Sequence, residues 1–207
     1  FVEGGSEDGT REEILKAIKE EQTECELRFI PQPGKGKGDA VKAGFAQAKG
    51  DVLMILDADL TVMPEDLPRF HMALAEGRGE FINGCRLVYP MEDEAMRHLN
   101  LLANKMFGSA FSFVLQQPLK DTLCGTKVLR RTDYETIHKR RHLFGNKDPF
   151  GDFDLLFGAS QLGLDITEMP IRYQARQYGS TQIHRFRHGL MLAKMLWRGY
   201  KYFKINT

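Results

Sequence analysis

Two carboxylates stand two residues apart, directly after an unbroken apolar run. The run extends from Val52 to Leu56, and Asp57 and Asp59 follow it. Such a run predicts a strand buried on both faces, and open α/β sheets bind ligands at the carboxyl ends of their strands. Neighbouring carboxylates repel each other, so at such a place they commonly share a divalent cation. The alternatives are two solvated loop acids, or Asp59 capping a helix that begins near Pro64.

A glycine-rich turn lies near the start of the chain, between a strand end and a helix that begins near Arg11. It spans Glu3 to Thr10 and includes Asp8. Such a turn lets the backbone approach a ligand, and a neighbouring acid can accept hydrogen bonds from a ribose or a base. A plain connecting turn is the alternative. Because Phe1 and Val2 already resemble the end of a strand, we expect an earlier strand to be missing.

A second glycine-rich segment, from Gly34 to Ala40, places Lys35 and Lys37 ahead of a helical pattern. The unpaired N–H groups of a helix N-terminus and nearby lysines together suit an anion. The order of residues differs from that of a P-loop. The segment is therefore either an anion site or a flexible surface loop.

Further charged residues follow later elements of the chain. Arg86 ends a short apolar strand, Lys127 follows a polar turn, and Arg176 lies in a loop. Asp152 and Asp154 fall in the first turn of a predicted helix, where acids often serve only as partners of the helix dipole.

The elements that must position these residues alternate between strands and helices. The opening order is β-α-β-α-β, which predicts an α/β fold with a mostly parallel sheet flanked by helices. The other predicted strands are 80–86, 128–131 and 166–173, and a long apolar helix is expected over 95–115. Pro170 places the last strand towards an edge of the sheet.

Composition limits the class of protein. The 207 residues carry a net charge of +1 and 42% hydrophobic residues, which indicates one globular domain and gives no indication of nucleic-acid binding. Cys25, Cys85 and Cys124 are scattered without regular spacing, so we expect free thiols in a reducing, cytoplasmic compartment. We expect neither a membrane span nor a signal peptide from this sequence.

The segment 183–207 is predicted to form a basic amphipathic helix that is separate from a catalytic region over 1–182. No acid follows Arg185. A helix of this composition suits a membrane interface or packing on a protein surface. Its two predicted faces are an apolar one of Phe186, Leu190, Ala193, Leu196, Trp197, Tyr200 and Phe203, and a basic one of Arg187, Lys194, Arg198 and Lys201.

Taken together, these motifs resemble the family 2 inverting glycosyltransferases of the type A (GT-A, Rossmann-like) fold. The branch that they resemble includes dolichyl- and polyprenyl-phosphate sugar synthases. The matching segments are Glu3 to Thr10, Lys37-Gly38 with its helix, and Asp57-Ala58-Asp59. The resemblance covers nearly the whole chain, apart from the first strand of the family.

The resemblance implies a donor site and a metal site. Glu3, Asp8 and Lys37 would bind the nucleotide of a UDP- or GDP-hexose, with Asp57 beside it. Asp57 and Asp59 would hold Mg²⁺ or Mn²⁺ against the diphosphate and so assist departure of the leaving group.

The resemblance also implies an acceptor site. Arg86, Lys127, Arg176 and Thr181 would bind the phosphate of a lipid acceptor at the cytoplasmic membrane face, in the biogenesis of the cell envelope. Asp154 matches the region in which relatives that glycosylate hydroxyl groups carry a catalytic base.

Departures from the family pattern and rival interpretations remain. Gly4 replaces an acid of the family, Thr61 stands where some relatives offer a further metal ligand, and Lys127 replaces an arginine.

A rival function is transfer to a sugar hydroxyl rather than to a lipid phosphate, with Asp152 or Asp154 as the base that deprotonates it. Residues 56–61 also match the D-x-D-x-T pattern of haloacid-dehalogenase-type phosphatases, with Asp57 as nucleophile, and a scaffold without catalysis is a third reading.

Overall fold

The computed structural model describes residues 1–88, 98–140, 148, 151–172 and 185–205. Strands and helices alternate along these ranges up to the fifth strand, which is followed by two helices before the last strand, and this order is typical of an α/β fold. The strands are β1 (Val2–Glu3), β2 (Ile30–Pro31), β3 (Val52–Met54), β4 (Phe81–Cys85), β5 (Lys127–Arg130) and β6 (Ile166–Pro170). The α-helices are α1 (Thr10–Glu20), α2 (Lys37–Gln47), α3 (Leu67–Ala75), α4 (His98–Leu115), α5 (Arg131–Arg140), α6 (Phe153–Gln161) and α7 (Arg185–Tyr200).

Two shorter helical segments complete the described structure. A 3₁₀ turn, Pro64–Asp66, leads into α3, and a π-helical turn, Lys201–Ile205, continues from α7. No helix within the described ranges is both long and apolar enough to cross a membrane.

The chain divides into two compact units. The first comprises Phe1–Gly50 with Pro149–Gly151, and the second comprises Asp51–Asp148 with Asp152–Thr207. In the first unit, β1 and β2 pair in parallel, and α2 packs on β1. The expected division into 1–182 and 183–207 remains a prediction.

The second unit contains a four-stranded sheet in the order β3-β5-β4-β6. The strands β4 and β6 pair in parallel, whereas β5 runs antiparallel to both of its neighbours, β3 and β4. The mostly parallel pairing expected from the sequence therefore holds for β1 with β2 and for β4 with β6. The parallel expectation is wrong for β5, because this strand lies between β3 and β4 and runs antiparallel to both.

The core of the second unit forms where α3 covers one face of this sheet. Ile82 of β4 and Val128 of β5 are fully buried there, next to Phe70 and Leu74 of α3. A second apolar layer contains the rings of Phe111 in α4, and Phe153 and Phe157 in α6, whose centroids lie 4.7–6.2 Å apart. As predicted, β6 lies at an edge of the sheet.

Candidate active site

The two carboxylates of the D-x-D motif lie just beyond β3, in the second unit. Leu53 and Ile55 of this segment are buried, Val52 and Met54 are half-buried, and Leu56 is 36% exposed, so the expected burial of the strand on both faces is wrong. Asp57 and Asp59 are half-buried. Leu60, directly after them, has a φ of +50°, a conformation that side chains other than glycine rarely adopt. The backbone therefore turns sharply at the motif.

Asp59 closes this turn onto Thr61. Its Oδ1 atom accepts hydrogen bonds from the Thr61 backbone N–H (3.2 Å) and hydroxyl (2.9 Å). The helical turn at Pro64 has Met63 at its N-cap and no side-chain capping bond, so the alternative in which Asp59 caps that helix is wrong.

The donor set at the motif fits a hard divalent cation, which prefers carboxylate oxygens. Within the described ranges, no group of three or more acidic, histidine or cysteine side chains is arranged to hold a metal ion. A cation held by Asp57 and Asp59 would therefore need oxygens from a ligand or from water to complete its coordination.

Arg86, directly after β4, is held by a buried carboxylate. Its Nε and Nη2 atoms donate to the two oxygens of Asp121, each at 2.7 Å, and its backbone N–H donates to the same carboxylate at 3.0 Å. Burial raises the pKa of Asp121, but the guanidinium and its hydrogen bonds outweigh that effect and lower the pKa below its ordinary value. The pairing is bidentate and fixes the direction of the arginine.

The turn that carries Asp121 is itself anchored from β6. One oxygen of Glu168 accepts the backbone N–H groups of Lys120 and Asp121, each at 2.8 Å. Asn83 of β4 donates to the Asp121 carbonyl at 2.7 Å. Burial raises the pKa of Glu168 above its ordinary value of 4.5. This turn thus holds Arg86 through bonds to two strands.

Sequence reasoning gave no role to Asp121 or Glu168. One signal was available: Glu168 is the sole acid of β6, and an acid within a strand needs a partner.

Lys127 does not occupy an open cationic site. Its side chain is fully buried, its ammonium lies 2.9 Å from Asp152 Oδ1, and it also donates to the Cys124 carbonyl. An ammonium buried in this way is unavailable to a lipid phosphate, so the expected contact between Lys127 and the acceptor is not supported. The reason is that β5 lies in the middle of the sheet, with neighbours on both sides.

Asp154 lies in the first turn of α6 and is 7% exposed. The N-terminus of this helix is held by Asp148, whose Oδ2 atom accepts the backbone N–H groups of Phe153 (2.8 Å) and Asp154 (2.9 Å). Asp148 therefore supplies the anion for the helix terminus. Asp152 and Asp154 are then not needed for that structural role.

In the first unit, Glu3 and Asp8 both hold the glycine-rich turn. Glu3 is 8% exposed and accepts the Ser6 N–H, a bond that lowers the pKa of this carboxyl. Asp8 accepts the Thr10 hydroxyl (2.6 Å) and N–H (3.1 Å), which lower the pKa of Asp8 as well. Both acids therefore favour their charged forms.

Lys37 is the first residue of α2, as the anion-site hypothesis requires. Gln32 bonds the Gly36 carbonyl at 2.8 Å and lies against Gly4, where a Cβ atom would come within 2.8 Å of its side-chain oxygen. Because that oxygen is the end of a flexible side chain, the contact does not by itself require glycine at position 4. Arg176 and Thr181 lie outside the described residues.

The first unit also has a cavity of about 230 Å³, whose lining includes none of Glu3, Asp8 and Lys37. It is lined by Phe1, Val2, Glu26, Arg28, Ile30, Gly44, Gln47, Ala48 and Lys49.

The sequence model of glycosyl transferase family 2 matches residues 1–137, well over half of the chain. The chain belongs to glycosyl transferase family 2. The matched region contains the glycine-rich turn, the lysine–glycine segment and the D-x-D motif together. This assignment overturns the phosphatase reading of Asp57 and confirms the expected family.

Curated relatives of this family 2 chain include two proteins of Haloferax volcanii. Glycosyltransferase AglJ is 28% identical over 200 residues, which cover 95% of this chain and 61% of that protein. A dolichyl-phosphate hexose transferase is 28% identical over 169 residues, which cover 82% of this chain and 70% of that protein. The chain thus spans less than two thirds of the length of AglJ.

Solved structures confirm the GT-A fold for this family member. Glucosyl-3-phosphoglycerate synthase from Mycobacterium tuberculosis in complex with UDP has a TM-score of 0.60 at 18% identity, covering 97% of this chain and 67% of that one. The same enzyme with Mn²⁺, UDP and phosphoglyceric acid has a TM-score of 0.63 at 15% identity, covering 98% and 66%.

Proposed function

We propose that this family 2 chain is the catalytic region of a hexosyltransferase. It would move a hexose, with inversion, from a UDP- or GDP-sugar to a polyprenyl phosphate in cell-envelope biogenesis. Family membership over 1–137 carries the proposal. The acceptor class is supported by the relative named dolichyl-phosphate hexose transferase and by one named undecaprenyl-phosphate 4-deoxy-4-formamido-L-arabinose transferase, 33% identical over 137 residues.

The donor would be a UDP- or GDP-hexose. Glu3, Asp8 and Lys37 would bind the nucleotide, and the half-buried Asp57 and Asp59 would hold Mg²⁺ or Mn²⁺. The metal would neutralise charge that develops on the nucleoside diphosphate as it leaves. The sharp turn at Leu60 fixes the backbone that carries the two carboxylates.

For the acceptor, we assign the phosphate contacts to Arg86, Arg176 and Thr181. A phosphate is already an anion, so it needs cationic donors rather than a strong base. Asp121 holds the Arg86 guanidinium in a fixed direction. Lys127, being buried with Asp152, is better suited to orienting the start of α6.

A second candidate is transfer to a hydroxyl group, with Asp154 as the base that takes its proton. One observation distinguishes Asp154 from Asp152: the Lys127 ammonium lies 2.9 Å from an oxygen of Asp152.

The proposal also places the protein at the cytoplasmic face of a membrane, in peripheral contact through its C-terminal helix. The free state of Cys25, Cys85 and Cys124 is compatible with a reducing compartment.

Transfer is tested by incubating the chain with UDP-glucose or GDP-mannose, Mn²⁺ and a short polyprenyl phosphate. Mass spectrometry should detect a lipid-phosphate hexose, and the anomeric coupling in its NMR spectrum reports inversion. Asp59→Asn should abolish both transfer and metal-dependent UDP or GDP binding by calorimetry. Glu65→Gln, at an exposed acid close by, is the matched control and should change neither.

The two acceptor classes are separated by Asp154→Asn. This variant should retain transfer to a lipid phosphate and lose transfer to a hydroxyl. If neither acceptor is glycosylated and no nucleotide binds, the scaffold reading replaces the proposal.

A further inference from the structure

An asparagine of β4 and a glutamate of β6 hold the same residue of a turn. Asn83 and Glu168 are register partners in the parallel pair of these strands, so their side chains project from the same face of the sheet. Asn83 donates to the carbonyl oxygen of Asp121 at 2.7 Å, and Glu168 Oε1 accepts the N–H of Asp121 at 2.8 Å. Both backbone polar groups of Asp121 are therefore bonded to this strand pair.

The carboxylate of Asp121 is also fully engaged. It accepts the backbone N–H, Nε and Nη2 of Arg86 and the backbone N–H of Leu123 at 3.1 Å. The Asp121 side chain is 1% exposed, so any rotation of the carboxylate would break bonds that water does not replace. The position of the Asp121 backbone therefore determines the direction of the Arg86 guanidinium.

Arg86 presents only a small part of its side chain to a ligand. That side chain is 13% exposed. A solvated arginine could compensate for a shift of its support by changing rotamer, but a guanidinium bonded bidentately to a buried carboxylate moves with that carboxylate. A displacement of Asp121 would thus be passed on to the part of Arg86 that a ligand can reach.

Glu168 fixes this turn to β6. Its Oε1 atom accepts the N–H groups of both Lys120 and Asp121, each at 2.8 Å. Removing this acceptor leaves two N–H groups without their partner, and the turn would have to move for water to reach them. Because Glu168 is half-buried and lies on a strand rather than in a loop, it is a rigid support for the turn.

We propose that Glu168 is a positioning residue for transfer. Through the backbone of Lys120 and Asp121 and the carboxylate of Asp121, it fixes the direction in which Arg86 meets the acceptor phosphate. Glu168 itself does not contact the acceptor. The proposal rests on the proposed function for the role of Arg86, and it deepens that function by adding β6 to the elements that set the affinity for the acceptor.

The sign of the effect separates positioning from charge. Because the acceptor phosphate is an anion, removing a negative charge near its site would by electrostatics alone lower the acceptor KM. Positioning predicts the reverse for Glu168→Ala: the acceptor KM should rise about ten-fold or more, since a misplacement of 1 Å can cost about a hundred-fold. Glu168→Gln removes the same charge but keeps an oxygen that can accept the N–H groups, so it should bring the acceptor KM back to within about three-fold of the parent.

The test measures the KM values of a short polyprenyl phosphate and of the sugar donor for the parent and both variants. The donor KM should stay within about two-fold, because the donor does not contact Arg86 in our assignment. Glu80→Ala is the matched control. Glu80 Oε2 accepts the Asp165 N–H at 3.1 Å, at the amino ends of β4 and β6, and its loss should leave the acceptor KM unchanged.

A second measurement needs no substrate. The Arg86 Nε–H is donated to a buried carboxylate, so it should exchange slowly with water, and Arg86→Lys identifies its NMR signal by removing it. Exchange should become at least about ten-fold faster in Glu168→Ala and stay close to that of the parent in Glu168→Gln. Circular dichroism verifies that the variants are folded. If Glu168→Ala does not fold, Glu168→Asp replaces it, because its carboxylate is one methylene shorter and should raise the acceptor KM in the same direction.

An acceptor KM that falls or stays unchanged in Glu168→Ala overturns the proposal, and so does an equal rise in Glu168→Ala and Glu168→Gln. Arg86→Ala distinguishes this failure from that of the proposed function. If Arg86→Ala raises the acceptor KM while Glu168→Ala does not, only the role of Glu168 is wrong. If neither variant raises it, the assignment of Arg86 to the acceptor phosphate is wrong as well.

Discussion

Replacing Lys127 by methionine distinguishes two roles for this residue. Lys127 is either a buried structural partner of Asp152 or a contact to the acceptor phosphate, and the sequence alone does not separate the two. In the structure the Lys127 ammonium and the Asp152 carboxylate lie 2.9 Å apart, and both side chains are buried. Removing one partner of a buried pair leaves an uncompensated charge and costs about 3–5 kcal/mol of the free energy of unfolding. We therefore expect Lys127→Met to lower stability by about that amount.

The double variant Lys127→Met with Asp152→Asn should recover most of the loss, because no buried charge then remains without a partner. Urea denaturation followed by circular dichroism measures the four free energies of the cycle. The expected coupling is about 2 kcal/mol or more, within the range found for contacting residues. Lys120→Met is the matched control at an exposed position seven residues earlier, and it should change stability by less than about 0.5 kcal/mol.

The same variants address catalysis. If the double variant folds, it should keep the acceptor KM close to that of the parent, because Lys127 has no contact with the acceptor phosphate in our assignment. Two results would refute the reasoning: full stability of Lys127→Met, or a raised acceptor KM in a stable double variant. Either result would favour the alternative in which Lys127 contacts the acceptor phosphate.

Three further predictions concern stability. Glu168→Gln keeps an oxygen that can accept the two N–H groups of the turn but removes a half-buried charge, so it should raise stability by less than about 1 kcal/mol at pH 7. Because the folded pKa of Glu168 is raised, the parent loses stability as pH rises through that value. The difference in stability between Glu168→Gln and the parent should therefore disappear below about pH 4.5. Glu168→Ala leaves both N–H groups without their acceptor and should be destabilising at every pH. Gln116→Gly should add about 1 kcal/mol in thermal unfolding, since Gln116 follows α4 with a φ of +57°. Gly151→Ala should cost at least about 2 kcal/mol by urea denaturation, because φ is +73° and its Cβ atom would lie 2.6 Å from the Gly38 backbone; a neutral effect would contradict this packing.

The D-x-D motif and the alternation of elements could be predicted because both depend on local pattern. The apolar run before Asp57 and the helical spacing after Lys37 are visible in short windows of sequence. The direction of β5 could not be predicted in this way. A strand of the type Lys127–Arg130 has the same pattern whether its neighbours run parallel or antiparallel.

The candidate site shows the same limit at the level of side chains. Arg86 and Lys127 were both identified as cations, but their partners Asp121 and Asp152 are distant in sequence. Only the folded chain shows that Arg86 is oriented by Asp121, whereas Lys127 is buried together with Asp152. Leu190, Trp197 and Tyr200 of the predicted apolar face of α7 were likewise identified from their spacing, and only packing shows that these three side chains are exposed.

The position of β5 in the sheet also bears on how the protein is made. The strand that carries the D-x-D motif, β3, pairs with β5 and with no other strand in the described sheet, and Met54 lies opposite Val128. During synthesis, β3 leaves the ribosome before β5 has been translated. The backbone N–H and C=O groups of β3 therefore have no strand to pair with while β4 and α4 are being translated. Substitutions that slow the arrival of β5, or weaken its register, would thus be expected to reduce the yield of folded protein before they affect the chemistry of the finished site.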